Sequence, residues 1–229
     1  MDDTPEVCKQ FGIRYINQEE PHYGGAMRTA FKYASMDKLL LLDADGSPDP
    51  KYIPELYKAL ASGADLVIGS RHAEGGSNAD TKSANIMSKI CNGLYRVALG
   101  VTIRDCSTSY RIYHTADVKK LTLMSENFDI MEEILLKLKL LKGKNFIAKE
   151  IPTHSIERGF GKSKRSLLKF IYTFGKTLIR MVILRLLAVN GYKPEKHERL
   201  SEMLTKIVLG SLSGILICII ALIIFLLIF

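Results

Sequence analysis

The sequence contains no tryptophan and no run of aromatic residues interleaved with arginine or lysine. That pattern marks many nucleic-acid modules, and its absence argues against a nucleic-acid partner. The four cysteines, Cys8, Cys91, Cys106 and Cys218, form no CxxC pair. They fit ordinary thiols in a reducing compartment better than a disulfide frame or a zinc site. The five histidines (His22, His72, His114, His154 and His197) form no spaced cluster, so none is assigned a role. Met1-Asp2-Asp3 is acidic and no apolar region follows it, so no secretory signal peptide is predicted. The longest absence is of charge, from Ile207 to Phe229. About 20 apolar residues cross a bilayer core of about 30 Å as a helix, and 207–229 is read as one transmembrane helix. Lys193, Lys196, Arg199 and Lys206 precede it, which places the main body on the cytoplasmic side by the positive-inside rule.

What is present suffices for one domain with a sizeable core, at 47% hydrophobic and 24% charged residues. The net charge of +8 suits nucleic acid, anionic lipid or a phosphorylated ligand. The most informative stretch is Leu39-Leu40-Leu41-Leu42-Asp43-Ala44-Asp45. A short apolar run ending in carboxylates reads as a buried strand whose C-terminal end meets a crevice, where open α/β sheets bind ligands. On a strand, residues i and i+2 point the same way, about 6.6 Å apart. Asp43 and Asp45 are therefore candidate ligands of one hard cation, Mg²⁺ or Mn²⁺, holding a diphosphate. The alternative is turn chemistry, since Gly46-Ser47-Pro48-Asp49-Pro50 is turn-rich and Asp49 suits a helix cap ahead of Pro50.

Strand and helix signals alternate along the chain. Strands are predicted at 13–16, 39–42, 64–69 and 145–151, with a polar β-like stretch at 105–113. Helices are predicted at 5–10, 24–35, 50–62, 84–99 and 130–141, with Gly100 and Gly143 as stops for the last two. The alternation predicts an α/β fold with a doubly wound, mostly parallel sheet flanked by helices. Residues 163–189 interleave apolar residues with Lys164, Arg165, Lys169, Lys176, Arg180 and Arg185, without an acid. That is the pattern of a basic amphipathic helix at a membrane interface, or of a packing helix with a solvated basic face. The expected organisation is a catalytic unit over 1–162, an interface region over 163–192, a basic linker over 193–206 and the membrane span.

Four clusters follow one another: Asp43-Ala44-Asp45; Gly69-Ser70-Arg71 with Gly75-Gly76; Asp105-Cys106-Ser107-Thr108-Ser109-Tyr110-Arg111; and Arg158-Gly159-Phe160-Gly161-Lys162-Ser163-Lys164. Their order and spacing resemble glycosyltransferase family 2, in particular the polyprenyl-phosphate glycosyltransferases of the dolichol-phosphate mannosyltransferase type. The resemblance implies a GT-A, Rossmann-like fold and inverting transfer of a hexose from a nucleotide-sugar to a polyprenyl phosphate at the cytoplasmic membrane face. It implies catalytic roles for Asp43, Asp45 and Arg158, with Asp43 and Asp45 holding Mg²⁺ or Mn²⁺. It implies substrate contacts from Arg71, Lys82, Asp105, Arg111 and Lys162. For Asp105 and Arg111 a structural ion pair across a turn is the other reading. Glu132 and Glu133 stand near an acidic position of the family, and a helix-surface pair is the plainer reading of them.

The sequence also departs from the family pattern. Ser47 stands in place of a frequent Gln, Lys82 in place of a second acceptor Arg, and Ser109 in place of Gly. The resemblance further implies a first strand and a base-binding loop ahead of Thr4. Three expectations follow: a piece of a longer product, a missing strand supplied by a protein partner, or a domain that has lost donor binding. A non-catalytic membrane-bound binding or partner subunit, acting with a protein partner or a second copy, is the alternative function. A nucleotidyltransferase is a third, since it uses a similar sheet.

Overall fold

The computed structural model describes residues 3–156 and 167–211, with side chains from 172 onward in the second stretch. In chain order the elements are α1 (Thr4–Gln10), α2 (His22–Tyr33), β1 (Lys38–Leu41), α3 (Ile53–Ala61), β2 (Leu66–Ser70), α4 (Lys82–Leu99), β3 (Arg111–His114), α5 (Thr115–Val118), α6 (Ile130–Lys142), β4 (Ala148–Pro152), α7 (Leu167–Leu187) and α8 (Pro194–Gly210). The strands form one sheet in the order β1-β3-β2-β4. β2 and β4 are parallel, but β3 lies between β1 and β2 and runs antiparallel to both. The sheet is thus mixed, not mostly parallel. Parallel pairing needs a crossover that returns the chain to the starting end. After α4 the loop over 101–110 instead comes back to the carboxyl end of β2, where the Gly69 amide donates to the Tyr110 carbonyl at 2.8 Å. β3 must then run downward. The expected strand at 13–16 is not formed: Ile13 is 59% exposed and lies beside no strand among the described residues.

The period-2 pattern of the strands divides the core. Leu66 and Ile68 of β2 and Tyr113 of β3 face α4, α6 and α7, while Val67 and Ile112 face Leu56 and Leu60 of α3. Helices therefore cover both faces, as the alternation of elements requires. α6 is buried from Ile130 through Leu138. Glu132 and Glu133 are consequently interior residues rather than a surface pair. A helix wrapped on all sides has no solvated face, and its charges must find partners inside. Glu133 accepts from the amides of Met124 (3.0 Å) and Ser125 (2.7 Å), from Lys137 Nζ (2.6 Å), and pairs with Arg180 of α7 at 3.1 Å. Lys137 also meets Glu198 of α8 at 2.8 Å. Two carboxylates and two cations thus tie α6, α7 and α8 together.

The segment read as a basic linker is helix α8, packed on α7 through buried His197, Glu198, Ser201 and Thr205. On α7, Arg180 points inward to Glu133, and Arg185 donates to the Val97 and Ala98 carbonyls at the end of α4. Those two cations serve packing and capping rather than a solvated face. Among the described residues no helix is long and apolar enough to cross a membrane. Most of the expected span, from residue 212 on, lies outside them.

Candidate active site

β1 ends at Leu41, so Asp43 and Asp45 lie beyond the strand, in a turn. The strand alternation expected to align them does not apply. The turn does: Gly46 adopts φ +77°, a left-handed conformation that glycine takes without steric cost. Asp45 Oδ1 accepts from the Ser47 amide (3.0 Å) and hydroxyl (2.7 Å), an Asx-type turn closed on itself. Asp43 Oδ2 accepts from the Ser109 hydroxyl at 2.6 Å, across 66 positions of sequence. Asp49 caps the 3-10 turn that leads into α3, accepting from the Lys51 amide at 3.0 Å.

Two neighbours brace this turn. The Tyr110 hydroxyl donates to the Asp49 carbonyl at 3.0 Å. Its ring lies against the backbone of Gly69, where an added Cβ would sit 2.7 Å from the ring. On the other side, the Ile156 amide donates to the Ser47 carbonyl at 2.9 Å, and Pro48 and Ser155 form a bridge. The start of the segment that carries Arg158 and Lys162 is therefore bonded to the acidic turn. Arg158 and Lys162 themselves lie outside the described residues.

The donor set suits a hard divalent cation. Asp43 and Asp45 are half-buried oxygen donors: Asp43 accepts from the Ser109 hydroxyl, and Asp45 from the Ser47 hydroxyl and amide. Among the described residues no group of three His, Cys, Asp or Glu gathers to hold a metal. Two carboxylates with the remaining positions left to diphosphate and water oxygens is the arrangement Mg²⁺ and Mn²⁺ accept.

The second cluster is a buried clamp. Arg71, at the carboxyl end of β2, donates to Asp105 from Nε (2.8 Å) and Nη2 (2.9 Å), and its amide adds a third bond at 3.1 Å. Asp105 is fully buried, and Arg71 side-chain exposure is 23%. Burial alone would push the Asp105 carboxyl up, but the Arg71 fork outweighs it and holds it below the usual range. Asp105 therefore orients Arg71 and has no face for a substrate. The ion pair expected between Asp105 and Arg111 is not formed. Arg111 is fully buried and donates to three backbone carbonyls: Thr108 (2.6 Å), Met131 (2.8 Å) and Cys106 (2.5 Å). It is a framework residue, not a substrate contact. Lys82 opens α4 and is exposed, two positions after Asp80, whose charge acts on Arg71.

Several side chains that hold the site carry little sequence signal. Glu150 of β4 accepts from the amides of Arg104 (2.9 Å) and Asp105 (3.0 Å). Asn92, on the buried face of α4, accepts from those of Cys106 (2.7 Å) and Ser107 (3.1 Å). A lone Asn at a core position of an apolar helix is the one available hint. Tyr23 of α2 stacks on Phe128 with centroids 4.3 Å apart, and the Asp43 charge acts on it. Burial, with the Asp43 charge adding, pushes its phenol above the ordinary value. Beneath the loop, burial pushes the Glu132 carboxyl up to about 8 against the pull of Arg111, and Glu132 Oε2 has no partner among the described residues.

Known proteins share this architecture. Glucosyl-3-phosphoglycerate synthase from Mycobacterium tuberculosis, solved with Mn²⁺, UDP-glucose and phosphoglyceric acid, superposes with a TM-score of 0.59 over 81% of this chain and 65% of its own, at 16% identity. That likeness shows a GT-A-like fold. Undecaprenyl-phosphate mannosyltransferase of Micrococcus luteus is 32% identical over 150 residues, 62% of this chain and 60% of that protein. Dolichol-phosphate mannosyltransferase of Pyrococcus furiosus is 29% identical over 228 residues, 94% of this chain and 59% of that protein. The chain thus spans about three fifths of the length of these relatives. The sequence model of glycosyl transferase family 2 matches residues 1–122, more than half of the 229 residues, and the chain belongs to that family.

Proposed function

We propose that this chain moves a hexose from a nucleotide-sugar to a polyprenyl phosphate at the cytoplasmic face of a membrane, with inversion and with a divalent metal at Asp43 and Asp45. The observation that carries the proposal is the adjacency of two unlike phosphate-handling features at one end of the sheet. The acidic turn suits a cation-bound diphosphate, and the Asp105-oriented guanidinium of Arg71 suits a second phosphate. The names of the bacterial and archaeal relatives, both polyprenyl-phosphate mannosyltransferases, support that acceptor class and favour mannose as the sugar.

The chemistry asks little of a general base. A phosphate monoester has a second pKa near 6 and is mostly dianionic at neutral pH. Its oxygen attacks the anomeric carbon, the bond from that carbon to the donor diphosphate breaks, and the nucleoside diphosphate leaves. When bound, the metal supplies Lewis-acid stabilisation of the leaving oxygens. Asp43 and Asp45 hold the donor end, and Arg71, its Nε and Nη2 engaged by Asp105, offers its remaining guanidinium N–H groups to the acceptor phosphate. Arg158 and Lys162 add fixed positive charge from the segment that follows Ile156. The proposed anchor is the apolar stretch over 207–229, with α7 lying near the interface.

The deciding experiment incubates membranes carrying the chain with labelled GDP- and UDP-hexoses and extracts the product into organic solvent. Labelled lipid that disappears with chelator and with Asp45→Asn is the expected result. The proposal fails if no donor labels lipid, or if Asp45→Asn labels as well as the parent. A second reading, a non-catalytic partner subunit, draws on the exposed apolar residues Val7, Phe11 and Ile13 and on a β1 edge with one neighbour among the described residues. It predicts that no nucleoside diphosphate with Mn²⁺ raises the melting temperature.

A further inference from the structure

We propose that Ser109 is a positioning residue for the metal-binding carboxylate, its hydroxyl locking Asp43 in the orientation that receives the cation. The inference rests on the metal site proposed above. Its ground is the 2.6 Å bond from Ser109 Oγ to Asp43 Oδ2.

Three features make that bond a fixed strut. Ser109 itself is 9% exposed and cannot exchange its partner freely with water. The loop that carries it is over-determined: Glu150 holds the amides of Arg104 and Asp105, Asn92 holds those of Cys106 and Ser107, and Arg111 holds the carbonyls of Cys106 and Thr108. From the other side Tyr23, stacked on Phe128, feels the Asp43 charge and adds apolar bulk beside the strut.

The donor is also of the right kind. A lysine or arginine on Asp43 would compete with a cation for the same charge. A neutral hydroxyl fixes the rotamer and leaves the negative charge available. Asp105, held by Arg71, illustrates the opposite choice within the same loop. Alanine at position 109 would leave Asp43 to choose among rotamers, and the cation would have to supply the lost ordering on binding. Outer-shell partners of this kind are typically worth about 10- to 100-fold in metal affinity.

The test measures Mn²⁺ affinity directly, by electron paramagnetic resonance of the full 229-residue chain in detergent with inorganic pyrophosphate as the anion. The probe needs no nucleoside and no turnover. Ser109→Ala, Ser109→Thr and Asp43→Asn are compared with the parent, and each is melted. The expected result is about tenfold weaker Mn²⁺ binding in Ser109→Ala at an unchanged melting temperature. Ser109→Thr, which keeps the hydroxyl, recovers most of it, and Asp43→Asn loses it. Parent-like affinity in Ser109→Ala overturns the role of Ser109 and leaves the metal site standing. Failure of the parent to bind Mn²⁺ overturns both. A Ser109→Ala protein that melts lower, with no recovery of Mn²⁺ in a stably folded Ser109→Thr, makes the serine a packing residue and overturns the inference.

Discussion

Asp43 and Asp105 stand at the same end of one sheet, and their surroundings are opposite. Asp105 is fully buried, doubly bonded to the Arg71 fork and further tied to the Arg71 amide. Asp43 is half-buried and receives a serine hydroxyl from Ser109. A carboxylate neutralised by a guanidinium is committed to the framework, because removing either partner leaves a charge stranded at low dielectric. A carboxylate held only by neutral donors keeps its charge for a ligand. Sequence spacing alone does not separate the two cases. The identity of the hydrogen-bond donor does.

The largest effect expected from this contrast is on stability. Asp105→Ala strands a three-quarters-buried Arg71 and should cost about 3–5 kcal/mol in urea unfolding. A cost below about 1 kcal/mol, the value of an exposed pair, would erase the distinction. Asp43→Asn should do the reverse. Transfer to lipid should fall by at least about 10²-fold, the upper range for an outer-shell partner, while the melting curve stays in place. A parallel loss of stability would show Asp43 to be framework as well. Arg71→Lys keeps the charge but loses the fork that holds Asp105. Under the role proposed for Arg71, it should raise the KM for a short-chain polyprenyl phosphate by about 2 kcal/mol of recognition and also lower the melting temperature.

Two adjacent residues repeat the contrast one helical step apart, and it is read there through pH. Glu133 is held at about 2: burial pushes it up, and Arg180 and Lys137 outweigh that. Its folded value lies below the ordinary 4.5, so the stability it contributes is present above pH 4.5 and lost as pH falls toward 2. Glu132, buried without such partners, is raised to about 8. Its contribution is full below pH 4.5 and is lost as pH rises through 8, with a slope of up to about 1.4 kcal/mol per pH unit between the two. Glu132→Gln should flatten that slope in unfolding measured from pH 5 to 8. An unchanged pH dependence would mean that Glu132 is ionised in the folded chain.

Much of the fold is legible in the sequence where apolar runs end at strong breakers. β1, β2, α4 and α6 fall within a few residues of where Leu39–Leu42, the 64–69 run, Gly100 and Gly143 put them. β3 is not legible as a strand direction: four residues of mixed polarity say nothing about which way a loop returns. Nor is the burial of Glu133, Lys137, Arg111 and Arg180. A charge on a helix or after a polar loop reads as surface until its partner, from another part of the chain, is in place. The same applies at the site. Asp43 and Asp45 stand out by spacing, and Arg71 by its glycine-flanked strand end. Ser109 is invisible in that role, because its partner is 66 positions away.

Tyr110 gives the acidic turn a mechanical reference. The ring spans the gap from the bare backbone of Gly69 to the Asp49 carbonyl, like a strut cut to length between a wall and a shelf. One methyl group on Gly69 would lengthen the wall by more than the strut can yield. The shelf would have to move, and Asp45, four residues before Asp49, would move with it. Position 69 can therefore reach the acidic turn without touching it, and variation there should tune the turn as surely as variation within it.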